Sequence, residues 1–190
     1  MVFSVSVVKK PNTLRKVGKM RRSDREVINF DEILDILKRA DTIRLGLNGD
    51  PYPYVVPLSF GFEATDAGAG SGTGDAGRGG RCVAVYVHGA AEGFKHDLIA
   101  RDNHVCVEAG IFHRYVQYDD GAYSNVTTEY ESVIGFGTAD VATGAEAEHG
   151  MALMLEHCGF ADSLYNMDTL INTRIYKFTL TQITGKRRTV

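Results

Sequence analysis

Six residues, Cys82-Val83-Ala84-Val85-Tyr86-Val87, follow one another with no polar interruption, and His88-Gly89-Ala90-Ala91 comes directly after them. β-branched, aromatic and small apolar side chains in one unbroken run leave no face for solvent. The run therefore predicts a strand covered on both sides. His88 closes that strand, and the small residues after it let the backbone pass close to whatever lies beside it. A helix is expected from about Ala91 to Arg101, with Phe94 and Leu98 on one face. Free N–H groups at a helix start, with Lys95 in reach of the same point, describe a phosphate site. Strand, small-residue turn and helix also occur together in purely structural roles. On this loop alone both readings stand.

The chain before this stretch mixes one helix with hairpins. Residues 1–22 read as an arm crowded with Lys and Arg, and Lys186-Arg187-Arg188 closes the chain; solvated tails are the simplest account of both. Ser23 and Glu26 have capping-box spacing, and a second helix start is expected at Asp31. Ile33, Leu34, Leu37 and Ala40 then share a helical face, with Asp35, Lys38 and Arg39 outside it. Thr42 to Leu47 alternates loosely, and Asn48-Gly49-Asp50-Pro51 signals a hairpin. Tyr52 to Phe62 returns as one strand interrupted by Pro53 and Pro57. Proline cannot donate to a ladder, so Pro57 implies an edge, a bulge or an opening toward a ligand. Residues 64–80 are almost all Gly, Ala, Ser, Thr and Asp, which predicts a mobile hairpin loop. No Gly-Lys-Ser/Thr is present to make it a nucleotide loop.

Beyond the helix, His104 to Glu108 reads as a short strand and Phe112 to Thr127 as a loop or ragged strand. Glu129 to Val141 is a long strand in which Gly135 and Gly137 mark a bulge, a bend or a close approach. Met151, Met154, Leu155 and Cys158 form an amphipathic helical face. Arg174 to Ile183 alternates, with Tyr176, Phe178 and Leu180 on one side. Strands joined mainly by hairpins and punctuated by Gly and Pro predict a mainly β, antiparallel, barrel-like sheet with flanking helices. It would form a single domain over 23–190.

Composition narrows the function. The chain has 190 residues and a formal net charge of -3, which argues against nucleic acid as a partner. Three widely spaced cysteines, Cys82, Cys106 and Cys158, without a Cys-x-x-Cys motif, exclude a disulfide framework and a zinc ribbon; they fit a reducing cytoplasm. No apolar run approaches membrane-spanning length, and residues 1–8 lack the flanks of a signal peptide. His96, His104, His113, His149 and His157 have no metal-ligand spacing and read as surface or structural residues.

Four motifs and a closing strand, in order, carry a family likeness. They are Met20-Arg21-Arg22-Ser23-Asp24-Arg25-Glu26-Val27; Tyr52-Pro53-Tyr54-Val55-Val56-Pro57-Leu58-Ser59-Phe60-Gly61-Phe62-Glu63; Val85 to Ala90 with Gly93-Phe94-Lys95 and Asp97-Leu98-Ile99; and Tyr130-Glu131-Ser132-Val133-Ile134-Gly135-Phe136-Gly137. The last strand holds Ile175-Tyr176-Lys177-Phe178 and Ile183-Thr184-Gly185-Lys186. Over roughly residues 20–187 the chain resembles the nitroimidazole-resistance (Nim) branch of the pyridoxamine 5'-phosphate oxidase-like flavoproteins. The resemblance implies a split β-barrel homodimer with FMN at the subunit interface, and a reduced flavin able to pass electrons to nitro compounds. It implies that Tyr54, Val55, Val56, Pro57 and Leu58 line the isoalloxazine, and that His88, Gly89 and Ala90 follow the ring and ribityl chain. Lys95 would bind the phosphate, Ser132 and Val133 would come from a neighbouring strand, and Lys186 would reach the flavin from the partner subunit. The chain departs from pyridoxamine phosphate oxidases proper, which have an Arg-Lys pair where Phe94-Lys95 stands, so one phosphate cation is missing and pyridoxamine phosphate oxidation is not expected.

In such a site the flavin carries the redox step and no protein nucleophile is required. His88 is the candidate catalytic residue, able to bond a substrate oxygen or donate a proton; packing alone and haem ligation are the alternatives. Tyr54 and Tyr130 either stack on the flavin or pack in the core. An FMN-dependent oxidoreductase acting on a small acceptor, a flavin or haem carrier or sensor without turnover, and a cofactor-free structural dimer are the three functions this sequence supports.

Overall fold

The computed structural model describes residues 20–66, 81–119, 124–163 and 172–190. The chain runs β1 (Glu26–Val27), α1 (Phe30–Arg39), β2 (Ile43–Leu47), β3 (Tyr54–Leu58), β4 (Gly61–Asp66), β5 (Arg81–Ala90), α2 (Phe94–Arg101), β6 (His104–Asp119), β7 (Ser124–Ala142), α3 (Ala145–His157) and β8 (Thr173–Arg188). All described strand pairs are antiparallel, in one sheet ordered β3-β2-β6-β7-β8-β5-β4, with β1 added on β8. The two edge strands, β3 and β4, are joined in sequence by Ser59-Phe60 alone. Leu58 and Gly61 are three steps apart along the chain and so at most about 11 Å from each other. The edges of an eight-stranded sheet can meet that closely only if the sheet curls round on itself, and they are not hydrogen-bonded to each other. The result is a barrel left open along one seam, as the expected split barrel requires.

The curled sheet has an inside and an outside, and β5 shows both. Cys82 through Val87 are buried. Val83, Val85 and Val87 join the main core with Ile43, Leu45, Val105, Val107, Phe178 and Leu180. Ala84 and Tyr86 face the other way, into a smaller cluster with Met154 and Ile175 beneath α3. Alternation of successive side chains thus gives each face of this strand its own cover. α3 lies so close on Tyr86 that a Cβ at Gly150 would come within 2.4 Å of the ring.

α1 closes the main core with Phe30, Ile33, Ile36 and Leu37, each contributing about 1.5–3 kcal/mol by its burial. Its cap is Asn29, whose side-chain oxygen accepts from the N–H groups of Asp31 and Glu32. The expected capping box is not formed. Ser23–Arg25 is a 3-10 turn and Glu26 belongs to β1, because pairing Glu26 and Val27 with Lys186 and Gly185 satisfies that backbone better than an isolated helical turn.

Four other expectations are corrected, three of them by non-local pairing. Tyr52 to Phe62 is two strands, not one, and they lie at opposite edges of the sheet. The strand opened by Cys82 does not end at His88; it continues to Ala90, held by the ladder to β8 through Thr173. The short strand at His104 and the ragged segment after it are one sixteen-residue strand with a bulge between Phe112 and Arg114. Cys158 is the exposed C-cap of α3 rather than part of its buried face. Pro57 does sit on an edge strand, and β7 does shift register between Phe136 and Gly137. β4 and β5 pair as a hairpin from Asp66 and Arg81, and the expectation of mobility over most of 64–80, like the arm over 1–19, lies outside the described residues. No helix among the described residues is long and apolar enough to cross a membrane.

Candidate functional site

α2 covers one end of the barrel, and the expected anion-binding residues gather there. Leu98 and Ile99 anchor it in the main core. His96 pins its first turn to the sheet: its Nδ1 lies 2.7 Å from the Tyr176 hydroxyl and its Nε2 2.7 Å from the Ala90 carbonyl oxygen. The His96 and Tyr176 rings also stack at 5.5 Å. Burial, with the nearby Arg174 and Lys95 charges, holds the His96 imidazole below its ordinary pKa, although its bond to Ala90 and the Asp97 carboxylate work the other way. A buried histidine with both nitrogens occupied is structural, as expected for this residue.

That anchoring sets the position of Lys95. Its ammonium lies under Gly89, at 2.6 Å from where a Cβ on that residue would stand. Any side chain at position 89 would therefore displace it. Desolvation lowers the Lys95 pKa, and the ammonium forms no ion pair among the described residues. A cation taken partly out of water without a carboxylate is a costly arrangement that an anion relieves. α2 begins at this point after Gly93, at φ 126°, so its first N–H groups add to the positive potential. Tyr54, the first residue of edge strand β3, meets Phe94 edge-on with 5.7 Å between ring centroids. Tyr54, Phe94, Lys95, Gly89 and Ala90 are thus brought to one place.

The remaining expected residues divide. Val55 and Pro57 are exposed along β3, and Val56 and Leu58 are half-buried against the main core. β3 pairs on one side only, with β2, so half of its backbone N–H and C=O groups point off the sheet. His88 is exposed, but it lies one residue from Gly89 on a regular ladder. Alternation directs its imidazole to the α3 side, with Tyr86, and away from the Lys95 ammonium.

Ser132, Val133 and Lys186 form a second group. Ser132 pairs with Lys186 and Val133 with Gly185 across β7 and β8. The Val133 side chain is in the core, so only its backbone is available. The Lys186 ammonium sits 5.6 Å from the centroid of the Tyr130 ring. Burial alone would raise the Tyr130 pKa, but bonds to Lys186 and Arg25 outweigh it and the net shift is downward. Ser132 and Tyr130 line an open groove of about 470 Å³ with Arg44, Glu108 and Phe112. This group lies far from Lys95. Gly89 pairs with Arg174 at one end of β8, and Lys186 stands near the other end, roughly 40 Å further along the strand.

Arg174 is the residue that sequence reasoning missed. It continues the inward parity of Tyr176, Phe178 and Leu180 at the barrel end that α2 covers. A charged residue in line with a buried row was the available signal. No group of His, Cys, Asp and Glu suited to a metal ion occurs among the described residues.

The sequence model of the pyridoxamine 5'-phosphate oxidase family matches residues 29–187. No curated protein matches the sequence significantly. Among solved structures, a candidate 5-nitroimidazole antibiotic resistance protein from Bacteroides thetaiotaomicron is 24% identical, with a TM-score of 0.67 and 85% of each chain covered. An FAD and heme binding protein from Mycobacterium smegmatis is 17% identical at TM-score 0.67, over 87% of this chain and 74% of that one. The flavocytochrome Anf3 from Azotobacter vinelandii is 16% identical at TM-score 0.66, over 90% and 73%. These structures share the fold.

Proposed function

The chain belongs to the pyridoxamine 5'-phosphate oxidase family, and on that premise we propose that it binds FMN and passes electrons through it from a reductant to a small oxidised acceptor. The observation that carries this reading is the desolvated Lys95 ammonium beneath Gly89, without a counterion among the described residues. A phosphate monoester fits that cradle in charge, and the missing side chain of Gly89 is what leaves the ammonium its place. When bound, the isoalloxazine supplies the redox chemistry. Lys95 and the start of α2 hold the phosphate. Gly89 and Ala90 admit the ribityl chain by having little side chain. The free backbone groups of Tyr54 to Leu58 on edge strand β3 hydrogen-bond and orient the ring. His88 enters this reading through its backbone, since its imidazole points to the α3 side.

One copy of the chain carries Ser132 and Lys186 too far from Lys95 to meet the same flavin, so a homodimer in which the partner supplies them completes the site. Lys186, already held against Tyr130, would then put positive charge beside the ring and favour its anionic reduced form. The three unpaired cysteines suit a reducing compartment, and we place the protein in the cytoplasm.

The visible spectrum of the purified protein tests the reading first. A flavin spectrum is expected; a Soret band instead would move the assignment to haem, and a protein that takes up neither would end both. Oxidation of a reduced nicotinamide on addition of a nitroimidazole then separates an enzyme from a carrier. Lys95→Ala is expected to weaken FMN by about 1–3 kcal/mol, the range for a lost charged hydrogen bond. Fluorescence titration reads it, and an unchanged affinity would place the phosphate elsewhere.

A further inference from the structure

β8 directs Tyr176, Phe178 and Leu180 into the main core, and Arg174 is the next residue of that row. Across the ladder it stands directly opposite Gly89. Residues directly opposite on antiparallel strands project from the same face. Gly89 projects nothing, and the position of its absent Cβ is 2.6 Å from the Lys95 ammonium. Arg174 and Lys95 therefore flank one glycine on one face, at the end of the barrel that α2 covers. Both charges reach the same neighbour, since each helps to lower the pKa of His96 after the larger effect of burial. Neither forms an ion pair among the described residues. An anion seated over Gly89 would be drawn to both charges. A doubly charged phosphate suits two cations, and a guanidinium fork offers it two parallel hydrogen bonds.

We propose that Arg174 is the second phosphate cation of this site, supplied by β8 in place of the arginine that is absent at position 94, and that the site selects a terminal, dianionic phosphate monoester. The identity of the ligand rests on the flavin reading above; the pairing of the two cations does not.

The test uses the full chain, with Arg174→Gln removing the charge and Arg174→Lys keeping it. Each is titrated with FMN and with riboflavin, which lacks the phosphate. Arg174→Gln is expected to weaken FMN roughly 10- to 100-fold, as loss of a charge-assisted hydrogen bond does, to leave riboflavin unchanged, and to be partly rescued in Arg174→Lys. Unchanged FMN affinity, or an equal loss for both flavins, would overturn the proposal, the second result marking Arg174 as structural. If the wild type binds neither flavin, the flavin reading fails separately, and inorganic phosphate becomes the probe. Phosphate binding that Arg174→Gln abolishes supports the cation pair. Binding that is absent or indifferent to the substitution refutes it.

Discussion

Replacing Glu131 with Gln is expected to cost about 2–3 kcal/mol of folding stability. Glu131 is 5% exposed and holds three basic groups: Arg39 at 2.6 Å, Arg187 at 2.5 Å and His113 at 3.1 Å. Through them it ties α1 to β6, β7 and β8, and Arg187 passes the connection on to Glu32. Removing one partner of a fully buried ion pair costs about 3–5 kcal/mol, because the survivor is left unpaired out of water. Here the survivors are about a third exposed, Arg39 39% and Arg187 32%, and can recover part of their hydration. That places the cost below the fully buried range.

The pH dependence follows from the same contacts. The Arg39 bond is the largest influence, outweighing the cost of burial, and with Arg187 and His113 it draws the Glu131 pKa down to about 2. A group whose folded pKa is depressed stabilises the fold fully above its unfolded pKa and loses that contribution as pH falls through the folded value. The stability gap between wild type and Glu131→Gln should therefore be complete above about pH 5 and close progressively toward pH 2. Denaturant midpoints measured across that window check it. A gap that stays constant down to pH 2 would show that the carboxylate charge is not what holds the cluster.

Gly137→Ala is the second large effect, expected at about 3 kcal/mol or more, the upper end for an overpacked site. At the β7 bulge a Cβ would fall 1.8 Å from the Thr179 carbonyl oxygen and 2.9 Å from the Leu180 Cα. Both atoms belong to the backbone of β8, so no side-chain rotation can clear them and the two strands must part. Gly46→Ala is the control, since its Cβ would make only ordinary contacts of 3.5 Å and 3.6 Å on Cys106 and should cost under about 1 kcal/mol. Thermal unfolding of the pair tests this. Equal losses would mean that strand propensity, not close approach, explains the glycine.

The two glycines in β7 show how much of the fold was legible. Gly135 and Gly137 inside an apolar strand announced a bulge or close approach, and Pro57 announced an edge, because each is a local backbone property. Parity was equally readable on β5 and β8, where unbroken or alternating apolar side chains report their cover directly. The long hairpin of β6 and β7 was not readable past Phe112, because its polar and aromatic side chains carry no period and only the partner strand holds the segment extended. The capping box failed for the converse reason: Ser23 and Glu26 have the right spacing, but β8 offers Glu26 a ladder.

For the candidate site the division is similar. The strand through Val87, the small residues after it and the helix carrying Lys95 are all properties of neighbours in the chain, and the sequence by itself determined them. Which residues meet at that lysine was decided only by the tertiary structure. Arg174 reaches Gly89 through a ladder register, His88 is turned to the α3 side by the strand continuing to Ala90, and Lys186 is carried to the far end of β8. Register and parity depend on which strand lies alongside, and that is settled by burying the whole barrel at once.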